Sequence, residues 1–478
     1  MRILTTLFVL LWVCLLPLHA QQVEQADSLL SNRMDGLVDR MLPRGSNVGA
    51  LFVDLATGRT IYDYQSDMLS RPASTMKLVT AVTALSGRGA GKAFRTEVWY
   101  TGRIERDTLH GDLYVVGGFD PEFTEDDLQM LADSVCRLPF SVLSGRVYGD
   151  VSAKDSLYWG SGWLWDDNPS AFQPYLSPLM LEKGTVRVLA LPGKRAGEPA
   201  TVMCTPESGY CRIVNRTRTN TRSAGPFRVT RDWMHNSNDI LVSGNVSATQ
   251  ARVINVFAPE RLFMQAFVER LRQGGLRCDT AYAFAELRRD TAEAVLVAAH
   301  ETGEQAVLGQ MLKESDNLNA EAMLWRTGAQ AAGHRRVTAK DGLKETRRLI
   351  ERLGLSPADY RLADGCGLSH YDYLSPRLLV ELLRYAYSRT EVFQKLYKAL
   401  PVSGVDGTLK YRMGYGTPGF RNVFAKTGSY TGVSSLAGYL KTRSGRWVAF
   451  AIMNQNSLSG RQARALQDEL CMEVITGW

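Results

Sequence analysis

Apolar and polar positions alternate along the chain with two different periods, and the order of those stretches sets the first expectations. Over residues 22–42 apolar side chains recur every three or four positions (Val23, Ala26, Leu29, Leu30, Met34, Leu37, Met41), which is the spacing of one helix face. "VGALFVDL" and "TIYDYQ", within 48–65, then read as two strands around an "ATGR" turn. The stretch "RPASTMKLVTAVTAL" (71–85) reads as the next helix. From about residue 93 the pattern shortens. "FRTEVWYTGRI", "DTLHGDLYVVGG", "GRVYGDVS", "TVRVLALPG" and "GPFRVTRDW" predict short strands with turn residues between them. This β-rich zone runs to about 285, with a helical patch "ERLFMQAFVERLRQGG" and a strand-like "AYAFAEL" near its end. Helical spacing returns over Glu304–Gly333, Lys340–Leu353 and Pro376–Tyr397. Three strands ("NVFAKTGSY", "SSLAGYLKT", "WVAFAIMNQ") and a helix over Gly460–Ile475 close the chain.

The three last strands and the early hairpin would together make a five-stranded, largely antiparallel sheet covered by helices on both faces. The expected organisation is therefore an α+β domain (21–92 and 287–478) interrupted by an inserted β-rich region (93–286).

Composition adds limits. The chain has 478 residues, 45% hydrophobic and 22% charged, enough for two or three domains with a large core. Its net charge of +7 is thinly spread and contains no block of five or more Lys/Arg, so it reads as a solvated, slightly basic surface. Nucleic-acid binding has no support. Met1-Arg2 followed by the apolar run Ile3–Leu18 and by Leu18-His-Ala20 has the form of a signal peptide over 1–20, too short for a comfortable membrane span. An exported protein without a transmembrane anchor is expected. Six cysteines would remain after cleavage, and Cys204 and Cys211 are near enough in sequence to form a disulfide. With no C-x-x-C and no H-x-x-x-H, a zinc site is not expected.

Three short motifs could carry chemistry. Ser74-Thr-Met-Lys77 places a hydroxyl and an amine one turn apart at a helix start, where free N–H groups favour an oxyanion. A neutral lysine can take the serine proton where no histidine is available. Ser315-Asp-Asn317 offers a second hydroxyl and an amide from a helix end or inter-helix turn, though it also reads as a capping turn. Lys426-Thr-Gly428, on a strand, offers a cation, a hydroxyl and a residue that lets a backbone come close. Singly, each has an ordinary structural reading: a polar first turn, a cap, an edge-strand lysine.

Together, in that order, they resemble the signature of the penicillin-recognising serine enzymes. The 241 residues between Ser74 and Ser315, filled by a β-rich insertion, resemble the low-molecular-mass class C penicillin-binding proteins, exported D-alanyl-D-alanine carboxypeptidase/endopeptidases. "LPVSGVDGTLKYRM", "AKTGSYTGVSSLAGYL", "FAIMNQN", "DGCGLSHYDYLSP", "GDLYVVGGFDPEF" and "GWLWDDNPSAF" extend the likeness over essentially the whole chain after the leader. The resemblance implies a DD-peptidase/β-lactamase-like fold and a periplasmic enzyme that acts on peptidoglycan stem peptides. It also implies inhibition by β-lactams and no metal or cofactor. By the same likeness Ser74 is the acylated nucleophile, Lys77 its proton acceptor and Ser315 a relay to the leaving amine. Asn317 steadies Lys77 and the substrate amide. Lys426 supplies positive field, Thr427 and Ser429 meet the substrate carboxylate beside Gly428, and the Ser74 and Ser429 N–H groups form the oxyanion hole. Asp167 and Phe172 align with a pocket for the third residue of the stem peptide; an exposed acid and a packing aromatic are their plain readings. Two positions depart from the pattern: Cys366 stands in place of Ser, and His370 in place of Arg. The alternatives are a β-lactamase or D-amino-acid esterase, and a non-catalytic peptidoglycan-binding protein of the same fold.

Overall fold

The computed structural model describes residues 28–279, 281–289, 293–333 and 336–478. The leader read over 1–20 lies outside the described residues. Among those described, no helix is long and apolar enough to cross a membrane.

Five antiparallel strands form the sheet on which the rest is built, in the order Val423–Tyr430, Gly432–Lys441, Trp447–Ser457, Asn47–Asp54, Thr60–Tyr64. The period-2 pattern decides what each face buries. Leu51, Val53, Ala449, Ala451 and Met453 point into one core, while Ala50, Phe52, Val48, Phe450 and Ile452 point into the other. Phe52 pairs directly with Phe450 across the strands, and their rings stack at 5.4 Å. On this second face the N-terminal helix (28–41) contributes Leu30, Met34 and Val38. The final helix, Gly460–Gly477, contributes Leu466, Leu470 and Val474.

The other face is occupied by the helix Met76–Leu85, and all ten of its residues are buried. It has no solvent side because helices enclose it: Glu304–Lys313, Asn317–Ala332, Ala339–Arg352, Pro376–Tyr387 and Thr390–Ala399. A ten-residue, mostly apolar segment thus becomes a central rod. At roughly 1.5–3 kcal/mol for each fully buried large apolar side chain, Leu78, Val79, Val82 and Leu85 alone resist displacement of its N-terminus by several kcal/mol.

The inserted region has its own sheet, ordered Tyr282–Phe284, Val147–Asp150, Leu113–Val116, Phe94–Thr101, Ala294–Thr302. Three small three-stranded sheets accompany it. The strand Ala294–Thr302 lies beyond residue 286, where spacing had ended the insertion, yet it pairs along Phe94–Thr101. The region also contains a helix, Glu125–Cys136, that strand-like neighbours hid. Its start is a capping box between Thr124 and Asp127. Cys204 and Cys211, read as a candidate disulfide, are instead free thiols in one apolar cluster; burial pushes them up to about 11 and about 12.

Candidate functional site

Ser74 sits in a 3-10 turn, Ala73–Thr75, that leads into the buried helix. The turn is tight: Ala73 has φ of +46°, a left-handed conformation. Lys77 is the second residue of the helix proper, so its side chain returns toward Ser74 over one turn. Its Nζ has no solvent exposure and lies 2.9 Å from Ser74 Oγ, 2.6 Å from Asn317 Oδ1 and 2.7 Å from the Cys366 carbonyl. Burial holds the Lys77 amine below its ordinary pKa, against the opposing pull of Cys366, Asp364, Asp316 and Glu321.

The helical zone 304–333 is broken at Ser315, whose φ is +62°. Asp316 then caps the next helix by accepting from Asn319 N at 3.0 Å. The break turns Ser315 outward and leaves Asn317 at the first helical position, facing Lys77. Asn317 Nδ2 donates to the Phe172 carbonyl at 2.6 Å. Phe172 therefore enters the site through its backbone, while its ring is half exposed.

The third motif lies on the sheet's edge strand, Val423–Tyr430. Lys426 is fully buried and donates to Ser315 Oγ and to the Thr427 carbonyl, both at 2.8 Å. Burial first, and the charge of Lys77 second, push Lys426 well below its ordinary pKa. Burial thus disfavours the charged form of both lysines, and the charge of Lys77 disfavours that of Lys426 further. Thr427 Oγ1 donates to Thr408 Oγ1 at 2.8 Å. Gly428 packs on the nucleophile turn: a Cβ there would lie 2.5 Å from Pro72 O and 3.0 Å from Ser74 N.

All eleven positions singled out from sequence fall in or around one place. Ser74, Ser315, Asn317, Thr427, Ser429, Asp167, Phe172 and His370 line a cleft of about 510 Å³, with Lys77, Lys426 and Gly428 in its floor and wall. His370 stacks on Tyr430 with ring centroids 4.5 Å apart. Burial and nearby Arg71 lower its pKa, which favours the neutral ring; Asp167 and Asp166 oppose this. Burial and Asp166 in turn raise the Asp167 carboxyl.

Sequence spacing missed four participants. The Cys366 contribution is a carbonyl, which no side-chain pattern can signal. Thr408 and Tyr430 sit within segments already noted, but nothing marked them singly. The fourth is a buried group behind Lys77: Asp364 accepts from Trp163 Nε1, Gly367 N and Ser369 N at 2.7–2.8 Å, and Glu321 accepts from Gly365 N at 2.8 Å. Burial, and then the Asp364 charge, push Glu321 up to about 8. Among the described residues, Glu321, Asp364 and Cys366 are the one set that brings three metal-type donors within 4.8 Å. Each already has a hydrogen-bond partner.

Against known proteins, the model of the D-Ala-D-Ala carboxypeptidase 3 (S13) family matches residues 31–474. The chain belongs to that family. It is thus a serine peptidase of the D-Ala-D-Ala carboxypeptidase class. It is 31% identical over 460 residues to a D-alanyl-D-alanine carboxypeptidase of Actinomadura sp. (strain R39), covering 93% of this chain and 84% of that one. It is 27% identical over 414 residues to the D-alanyl-D-alanine carboxypeptidase DacB of Haemophilus influenzae, covering 86% and 85%. The crystal structure of penicillin binding protein 4 from the same organism superposes with a TM-score of 0.80 at 23% identity, over 92% of this chain and 99% of that one. That likeness carries the fold. The low-molecular-mass class C assignment and the α+β, DD-peptidase-like architecture read from the motifs stand.

Proposed function

We propose that Ser74 is the acylated nucleophile of a D-alanyl-D-alanine carboxypeptidase/endopeptidase that trims or opens peptidoglycan stem peptides outside the cytoplasmic membrane. One observation carries the reading: the three contacts of Lys77. A neutral amine has two N–H groups and one lone pair. Asn317 Oδ1 and the Cys366 carbonyl, at 2.6 and 2.7 Å, take the two N–H groups. The lone pair then faces Ser74 Oγ at 2.9 Å, and the Ser74 hydroxyl becomes the donor. Burial favours that neutral form.

Ser74 Oγ attacks the carbonyl carbon of the peptide bond between two D-alanines and its proton passes to Lys77. The developing oxyanion is held by the Ser74 and Ser429 N–H groups, the first of them at the end of the buried helix. As the C–N bond breaks, that proton passes from Lys77 through Ser315, in contact with Lys426, to the leaving amine, which leaves Lys77 neutral again. Water then attacks the ester, Lys77 takes its proton, and the acid and the free Ser74 hydroxyl are released. A carboxylate on the leaving residue, met by Thr427, Ser429 and Lys426, would favour the charged form of Lys426. The third stem residue would meet Asp167, Phe172 and a neutral His370. β-Lactams would acylate Ser74 by ring opening.

The test is labelling with a fluorescent penicillin, followed by a denaturing gel. Covalent label that vanishes in Ser74→Ala is expected. Absence of label on the folded wild type would sink the enzyme reading, and turnover without accumulation would favour a β-lactamase.

A further inference from the structure

The 3-10 turn Trp165–Asp167 serves two concavities. Asp167 lines the cleft, while Trp165 lines an adjoining groove of about 640 Å³. At the rim of this groove Trp165, 60% exposed, packs against Trp233 with ring centroids 5.2 Å apart and 36° between ring planes. Trp159 and Tyr175 pack 5.2 Å apart in its wall, beside Tyr158. None of its lining residues is charged. Large aromatic faces left open to water mark a binding surface.

The composition narrows the occupant. Aromatic faces carry the negative side of a quadrupole. A pyranose ring presents a face of C–H groups, polarised positive by the ring oxygens, with hydroxyls and amides around its edge. The groove supplies a polar partner for such an edge in Asn236. An uncharged sugar matches both the faces and the missing charge.

The position narrows it further. A stem peptide hangs from the glycan strand by its first residue, so two residues separate the sugar from the third. Extended chain spans at most about 3.5 Å per residue, or roughly 7 Å here. Trp165 is two residues from Asp167, the side chain that faces the third stem residue in the reading above. The groove thus adjoins the cleft through one short turn, within the reach of the two residues that join the third stem residue to the glycan.

We propose that the Trp165–Trp233 groove binds an N-acetylhexosamine of the glycan strand whose stem peptide occupies the cleft. This rests on the peptidoglycan reading, so the test separates the two. Calorimetry with peptide-free glycan strands reads the groove alone. Binding that weakens at least tenfold in Trp165→Ala and in Trp233→Ala, with penicillin labelling of both variants unchanged, is the expected result. In the wild type, kcat/KM should be at least fivefold higher for a glycan-linked pentapeptide than for the same free peptide, and both variants should lose that preference. Strands that fail to bind while penicillin still labels Ser74 overturn the groove and leave the peptidase reading standing. Strands that bind while no stem peptide is cleaved do the reverse. A wild-type dimer in sedimentation that Trp233→Ala dissolves would also overturn the proposal, because a second copy would then cover the groove.

Discussion

Gly428 touches the turn that carries Ser74, and alanine at that position offers a quantitative test of how rigidly the nucleophile is held. The added Cβ would sit 2.5 Å from Pro72 O and 3.0 Å from the backbone nitrogens of Ser74 and Thr75. Ordinary contact begins near 3.4 Å, so the edge strand or the turn must retreat by roughly 0.9 Å. The turn cannot give cheaply, because the helix behind it is buried along its whole length. The strand can, since around Gly428 its only ladder among the described residues is with Gly432–Lys441, the bridge to residues 401–403 being confined to Val423–Ala425. It carries Ser429 N, one of the two proposed oxyanion donors. A misplacement of about 1 Å costs on the order of 10²-fold in rate, or about 2.7 kcal/mol of barrier. Overpacking costs about 1–3 kcal/mol of stability, which a protein of this size survives. Gly428→Ala should therefore stay folded, melt a few degrees lower and react with fluorescent penicillin about a hundredfold more slowly. Labelling within threefold of wild type, at unchanged Tm, would refute the claim that this close approach sets the catalytic geometry.

Other consequences follow from the buried groups. Because burial holds Lys77 below the ordinary lysine range, the acylation rate should climb with pH through that lowered pKa and then level off. Asn317→Asp puts a carboxylate where a neutral oxygen lay 2.6 Å from Nζ, favours the ammonium, and should move the rise to higher pH by at least about one unit; an unmoved profile would count against Lys77 as the base. Arg326 and Glu304 form a buried pair at 2.5 Å, with Glu304 also meeting Lys395. Glu304→Ala strands the guanidinium and should cost about 3–5 kcal/mol in denaturant unfolding, with little change in labelling per folded molecule. His370→Arg introduces a fixed charge beside Asp167. It should lower KM for stem peptides with a carboxylate on the third side chain relative to those with an amine there, and equal KM changes for both would remove His370 from the specificity pocket.

The sequence and the structure agree most closely where chemistry is packed into three or four adjacent residues. Ser74 and Lys77 are one turn apart, and Lys426 and Gly428 share a strand, so spacing set each local pair, and the resemblance of the three motifs to a known signature implied that they converge. The early hairpin and the last three strands were legible because each has a buried face with period 2. Legibility ended at backbone groups and at long-range pairing. The carbonyls of Cys366 and Phe172 hold Lys77 and Asn317 in place, yet a carbonyl is common to every residue. The strand Ala294–Thr302 was not recognised because its partner lies about two hundred residues earlier and half its side chains remain partly exposed. The helix Glu125–Cys136 was lost among strands because its apolar face is narrow and its first turn is acidic.

The central strand pairing sets a schedule. Asn47 is opposite Gln455, roughly four hundred residues later, and that register places the start of the buried helix against the edge strand. Non-local pairing of this kind forms late. A chain that has left the ribosome only as far as residue 420 already carries Ser74 and Lys77, but it lacks Lys426, the edge strand that closes on the turn, and the two strands that follow it in the sheet. The hydroxyl has nothing to arm it. A serine peptidase arranged in this order, read as proposed above, cannot begin cutting while it is being made. The order of its strands thus acts as a clock: the first part of the enzyme synthesised is the last to become reactive.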